Sequence, residues 1–153
     1  MSAAARDGAL DALATSAGRT LAGGSALPTG FLMQPTLVEV DPGDALLADE
    51  VFAPVAALVA AADAEDAFAL ASATPYGLAA SVYTRDLAAA LRFTEQAEAG
   101  MVRVNSATTG ADYWAPFGGT KASSYGPREQ GRAARDFYTW DRTVAFGGGV
   151  AGR

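Results

Sequence analysis

Between Val55 and Asn105 the apolar pattern switches between strand and helix periods with only short connections, and this constrains the fold more than any other stretch of the chain. Val55 to Ala60 is apolar without alternation, the pattern of a parallel strand covered by helices on both faces. Asp63 has the short acceptor side chain of a helix N-cap, and Ala64, Ala67, Phe68 and Ala71 follow at helical spacing until Pro75 stops the run. Leu78 to Tyr83 reads as the next strand. Thr84 or Asp86 then caps a helix whose expected buried stripe is Leu87, Ala90, Leu91, Thr94 and Ala97, and Gly100 closes it before a strand over Met101 to Val104. Units in this β-α-β-α-β order make right-handed crossovers, so the expected fold class is α/β, three-layered, with a mostly parallel sheet.

The flanking segments extend that pattern. A helix is expected from Ala4 to Ala17, carrying Leu10, Leu13 and Ala17 on one face and stopping at Gly18. Thr20 to Ala22 is a short strand before the Gly23-Gly24 turn. Phe31 to Val40 is extended, and Pro35, which has no amide hydrogen, assigns it to an edge or a bulge. After Asn105 a loop of small, polar and aromatic residues leads to Pro116-Phe117-Gly118-Gly119. A helix over Pro127 to Phe137 is expected because proline suits a first helical position, and Tyr138 to Phe146 is aromatic and β-branched enough for a strand. Length and pattern give a single domain as the default, and the resemblance set out below implies instead a partial domain over 1–137, a strand segment over 138–147 and a disordered tail over 148–153.

Composition then removes whole classes of chemistry. The 153 residues contain no Cys and no His, so disulfides, thiolate nucleophiles, zinc-thiolate sites and the usual neutral-pH proton shuttle are all excluded within this chain. A net charge of −6 repels polyanions and argues against a nucleic-acid partner. The longest apolar run, Phe52 to Ala62, falls well short of the roughly 20 residues that a membrane helix needs. Arg6 and Asp7 interrupt the amino terminus where a secretory leader would be apolar, so a soluble, cytoplasmic chain without a membrane partner is expected.

Three groups of residues are candidates for a site. Asp49-Glu50-Val51-Phe52-Ala53-Pro54 sets two acids and an aromatic before a strand, where carboxylates accept hydrogen bonds from sugar hydroxyls and an aromatic packs on a flat ring. The same residues also suit a solvated turn with a core Phe. Asn105 stands at the carboxyl end of a strand, the end at which open parallel sheets form their ligand crevice, and Tyr113, Trp114 and Phe117 follow in the loop. Those aromatics serve either as a binding surface or as a plug for the domain's own core. Arg128, Arg132 and Arg135 fit a salt-laced helix surface, with Arg132 and Asp136 four residues apart, better than a clamp for a substrate carboxylate. Lys121, among Gly, Thr and Ser, suits a loop fixture better than an amine nucleophile. No metal site is assigned, and no glycine-rich phosphate loop has the required spacing.

In this order the segments resemble the aldehyde dehydrogenase superfamily. The matching stretches are Gly30-Phe31 with Gln34-Pro35-Thr36, Asp49 to Val55, Tyr76-Gly77-Leu78-Ala79-Ala80, Gly100 to Asn105, and Pro116-Phe117-Gly118-Gly119-Thr120-Lys121. Ser123 to Gly131, followed by Phe137-Tyr138-Thr139, is similar to the branch that oxidises α-ketoglutaric semialdehyde and related sugar-acid aldehydes. The resemblance implies the carboxyl-terminal part of the catalytic domain of an enzyme dependent on NAD or NADP. Glu50 is then expected to bind the nicotinamide ribose hydroxyls and Phe52 to pack beside the nicotinamide. Asn105, Tyr113, Trp114 and Phe117 are expected to line the pocket for a small aldehyde, and Tyr138 to Phe146 to be the oligomerisation strand.

The resemblance also implies departures. The family's nucleophilic Cys, general-base Glu, oxyanion Asn and nucleotide-binding domain belong upstream of these residues, so no catalytic residue is assigned here. Without a Cys the covalent adduct from which hydride leaves cannot form on this chain, which is expected to be inactive alone. Association with the missing N-terminal half, or homo-oligomerisation, is expected. The alternatives are a non-catalytic binding module that partners an intact dehydrogenase, or a truncated gene product. Ala53 replaces the Gly usual in the family's Glu-x-Phe-Gly-Pro run, a source of strain if that position needs positive φ.

Overall fold

The computed structural model describes residues 1–147, and the tail expected over 148–153 lies outside them. Helix α1 (Ala3–Thr15) starts where the Ser2 hydroxyl accepts a hydrogen bond from the Ala5 amide at 3.1 Å. It ends at Ser16, two residues before the expected glycine stop. Gly18 has a different use: a Cβ there would press into Val38, Val40 and the Glu39 carbonyl, so the absent side chain lets the chain pass against the first sheet.

Strand β1 (Arg19–Ala22) runs antiparallel to β2 (Thr36–Glu39), which runs parallel to β3 (Val55–Leu58). The Gly23-Gly24 turn forms at φ 72° and 88°. Pro35 ends just before β2, which occupies the middle of the sheet rather than its edge, and the register irregularity falls in β1 between Thr20 and Ala22. Thr36 and Val38 point inward and are buried. A single 3-10 turn at Ala45–Leu47 separates β2 from β3.

Asp63 caps helix α2 (Ala64–Ser72) through the Asp66 amide, and Asp86 caps α3 (Leu87–Gln96) through the Ala88 amide. Between them lie β4 (Tyr76–Gly77) and β5 (Ala79–Val82), and α3 leads into β6 (Met101–Val104), parallel to β5 in the register Ala79 with Met101. Phe68 of α2 and Phe93 of α3 meet with ring centroids 5.1 Å apart. This contact shifts α3 from the expected phase: Ala90 is buried as expected, but Ala89 and Phe93 join it, while Leu87 is 73% exposed and Leu91 also faces out. The phase follows the helix's largest side chain, which the expected stripe omits.

The expected three-layer, mostly parallel sheet is not seen among the described residues. Strand β4 pairs antiparallel with β7 (Thr120–Lys121), and β3 and β5 belong to different sheets, so the elements form three small sheets with both kinds of pairing. Strand β3, read as covered on both faces, leaves Ala56, Ala57 and Leu58 exposed. The last helix, α4 (Ala133–Tyr138), starts six residues after Pro127, because Glu129 bridges to Phe117 and positive φ at Gln130 and Gly131 prevents helix there. Residues 139–147 make no strand. Among the described residues no neighbouring strand supplies hydrogen bonds to them, and Trp140, Val144 and Phe146 stand in solvent.

The buried apolar set is small: Ala9, Met33, Val38, Val40, Phe68, Ala89, Ala90 and Phe93. The chain exposes 10858 Å². A compact monomer of this size exposes about 7,200 Å² by the surface-to-mass scaling, so much apolar surface remains uncovered.

Candidate functional site

The expected site residues fall into two places. Glu50 and Phe52 stand on the loop between the 3-10 turn and β3, and this loop separates two clefts. One, of about 520 Å³, is walled by the end of α2, β4 and the end of α3, with Thr74, Tyr76, Leu78 and Ser123. The other, also about 520 Å³, lies against the small residues Ala4, Ala5, Gly8 and Ala12 of α1. The Glu50 carboxylate is exposed and has neither a hydrogen bond nor an ion pair among the described residues, so it is free to accept from a ligand.

Phe52 is 82% exposed at φ 50°, which removes the reading of a core Phe. The positive φ falls on Phe52 and not on Ala53, so the alanine carries none of the strain anticipated for it. A bulky residue held left-handed costs free energy, and such strain gathers where a side chain is presented for use. A free carboxylate beside an exposed aromatic suits a sugar hydroxyl pair and a flat ring, so the residues present fit a nicotinamide riboside.

Lys121 holds one wall of the first cleft. Its ammonium donates to the carbonyls of Ser72 at 2.5 Å and Thr74 at 3.1 Å and pairs with Glu98 at 2.6 Å. It therefore ties the end of α2 to β7 as a loop fixture. Ser123, which sequence reasoning did not select, accepts from the Gly77 amide at 3.0 Å on the same wall.

The aromatic loop is the second place. Asn105, at φ 52°, spends its side-chain amide on Thr84: Oδ1 accepts from the Thr84 amide at 2.8 Å and Nδ2 donates to the Thr84 carbonyl at 2.9 Å. Tyr113 and Trp114 are exposed and meet edge to face with centroids 4.8 Å apart. They do not plug the core. Phe117 is half-buried and, with Arg103, Asp112 and Pro116, lines a separate cleft of about 360 Å³.

The residues after Tyr125 staple this loop from behind. Phe117 and Glu129 exchange backbone hydrogen bonds at 2.7 and 2.9 Å, and the Gly131 amide donates to the Tyr113 carbonyl at 3.1 Å. Arg128 donates to the Gly119 carbonyl and lies over Gly118, so it serves the turn rather than a surface salt network. Among the described residues Arg132 and Asp136 form no ion pair. Sequence reasoning also did not select Arg103, which lines the same cleft as Phe117. The signal was available, since a lone cation interrupts the apolar strand Met101-Val102-Arg103-Val104.

Among the described residues no group of three or more His, Cys, Asp or Glu is placed to hold a metal ion. No helix among them is long and apolar enough to cross a membrane.

The chain has counterparts among known proteins. The model of the aldehyde dehydrogenase family matches residues 3–144. Over 140 residues the chain is 42% identical to the alpha-ketoglutarate semialdehyde dehydrogenase of Haloferax volcanii, covering 86% of this chain and 29% of that protein. A Mycobacterium tuberculosis aldehyde dehydrogenase complexed with NAD+ superposes with a TM-score of 0.79 at 32% identity, over 86% of this chain and 28% of that one. A glyceraldehyde-3-phosphate dehydrogenase from Methanocaldococcus jannaschii complexed with NADP does so with 0.79 at 30% identity, over 87% and 29%. The chain belongs to the aldehyde dehydrogenase family, and it spans less than a third of the length of these relatives.

Proposed function

We propose that these residues form the C-terminal part of the catalytic region of an NAD- or NADP-dependent aldehyde dehydrogenase that oxidises a semialdehyde to a carboxylic acid. The observation that carries this reading is the pairing of a free Glu50 carboxylate with an exposed Phe52 on one cleft, in a chain matched to the family over nearly its whole length. Glu50 would accept hydrogen bonds from the ribose hydroxyls and Phe52 would pack beside the nicotinamide. The bound cofactor would supply the hydride acceptor. Phe117, with Tyr113 and Trp114 on the stapled loop, would bound the aldehyde's side, and Asn105 would hold the loop's root against Thr84.

On this reading the nucleophile comes from polypeptide outside these residues, because the chain has no Cys. Association with that N-terminal portion, or with further copies, would also cover the apolar surface left open here, and the protein would work in the cytoplasm. The test is absorbance of the reduced cofactor with the pure 153-residue chain and a panel of semialdehydes. No reduction is expected, and reduction by the pure chain would overturn the proposal that it is inactive alone.

One observation favours a second reading, a non-catalytic module that docks on an intact dehydrogenase. Trp140, Val144 and Phe146 are exposed on a segment with no strand partner among the described residues, and such a segment gains hydrogen bonds by adding to another chain's sheet edge. Co-purification with an intact family member distinguishes this reading from a stable lone monomer.

A further inference from the structure

We infer that Arg103 is the specificity-determining residue of the Phe117 cleft, receiving the distant carboxylate of an aldehyde that carries a second, anionic end. The inference rests on the reading of that cleft as the aldehyde pocket and names the feature of the substrate that it selects. Arg103 is half-buried in β6 and lines the cleft of about 360 Å³ with Met101, Asp112, Ala115, Pro116 and Phe117.

Its guanidinium is anchored but not used up. Nη2 donates to the Gly110 carbonyl at 2.7 Å, and no other hydrogen bond engages the group among the described residues. No ion pair engages it either, although the Asp112 carboxylate lines the same cleft. A planar fork with its remaining donors free and one edge fixed is preorganised for a carboxylate. The anchor also ties the fork to the loop that carries Tyr113, Trp114 and Phe117, so the charged and aromatic parts of the cleft keep a fixed separation. An aldehyde with an apolar or cationic end would gain nothing from this group and would leave a half-buried cation unpaired.

The test is titration of the 153-residue chain with glutarate, a five-carbon dicarboxylate, and with glutaramide, its uncharged counterpart, followed by backbone amide NMR shifts around Phe117. Glutarate is expected to bind more tightly than glutaramide, with the preference fading as salt is raised. Arg103→Gln is expected to weaken glutarate about tenfold to a hundredfold and to leave glutaramide unchanged. Arg103→Lys should recover part of the loss, and Asp112→Asn should strengthen glutarate by removing a like charge. Equal binding of the two ligands by the unaltered chain overturns the inference whether or not the variants fold. Unchanged glutarate binding in Arg103→Gln overturns it while leaving the cleft as an aldehyde pocket. No shift near Phe117 with either ligand overturns both.

Discussion

Asn105 and Thr84 are joined by a closed pair of hydrogen bonds, the side-chain amide of one donating to and accepting from the backbone of the other at 2.9 and 2.8 Å. The pair fastens the end of β6 to the loop that enters α3, and it holds Asn105 at φ 52°. Asparagine tolerates that conformation better than other residues with a Cβ. Asn105→Ala should therefore lose both the hydrogen bonds and the tolerance, lowering unfolding stability in urea by about 1–2 kcal/mol. Asn105→Gly loses the bonds and keeps the backbone freedom, so it should fall between the two. Equal losses in both variants would show that the conformation costs nothing.

Glycine positions give an opposed pair of outcomes. A Cβ on Gly100 would run into the Gly118 carbonyl and the Gly119 Cα, both backbone atoms that no rotamer change can move. Gly100→Ala should destabilise the chain by about 2–4 kcal/mol in chemical denaturation. Gly8 lies inside α1 with nothing within 4 Å of its added Cβ. Gly8→Ala should stabilise by about 0.5–1 kcal/mol, the helix preference for alanine over glycine.

Asp44 links the end of α1 to the 3-10 turn, and its titration should be visible in stability. The Leu46 amide, then the Ser16 hydroxyl and the Ala17 amide, hold its carboxyl below the ordinary value of 3.8, against an opposing push from desolvation. A carboxyl depressed on folding stabilises above its unfolded value and loses that contribution as pH falls through its folded value. The thermal midpoint of the unaltered chain should thus drop between neutral pH and pH below 3.8, and Asp44→Asn should narrow the drop. An unchanged drop in the variant would assign the acid sensitivity to other carboxylates.

What was legible in the sequence was local. Asp63 and Asp86 cap the helices that their short acceptor side chains announce, and the strand over Met101 to Val104 forms between the glycine and asparagine that bound it. What failed depended on partners at long range. The phase of α3 is set by Phe93 meeting Phe68, the start of α4 by Glu129 bridging to Phe117, and the pairing of β4 by β7, which is far along the chain. For the candidate site, residue types singled out Glu50, Phe52 and Phe117, whereas Arg103 stands in the sequence only as a lone cation in an apolar strand until the structure sets the Gly110 carbonyl and the Phe117 cleft beside it.

Phe52 joins left-handed backbone to an almost wholly exposed ring, and the combination makes no sense as packing. An exposed ring contributes little burial, while the positive φ costs about 1–3 kcal/mol that glycine would not incur. Phe52→Gly removes both, offset by the greater freedom of glycine in the unfolded chain. Stability should therefore stay within about 1 kcal/mol of the unaltered chain in urea unfolding. Binding of nicotinamide mononucleotide, followed by amide shifts at Glu50 and Tyr76, should weaken, because the flat ring loses its aromatic neighbour. A stability loss of about 2 kcal/mol or more, with binding unaffected, would make Phe52 a structural residue and remove it from the proposed cofactor site.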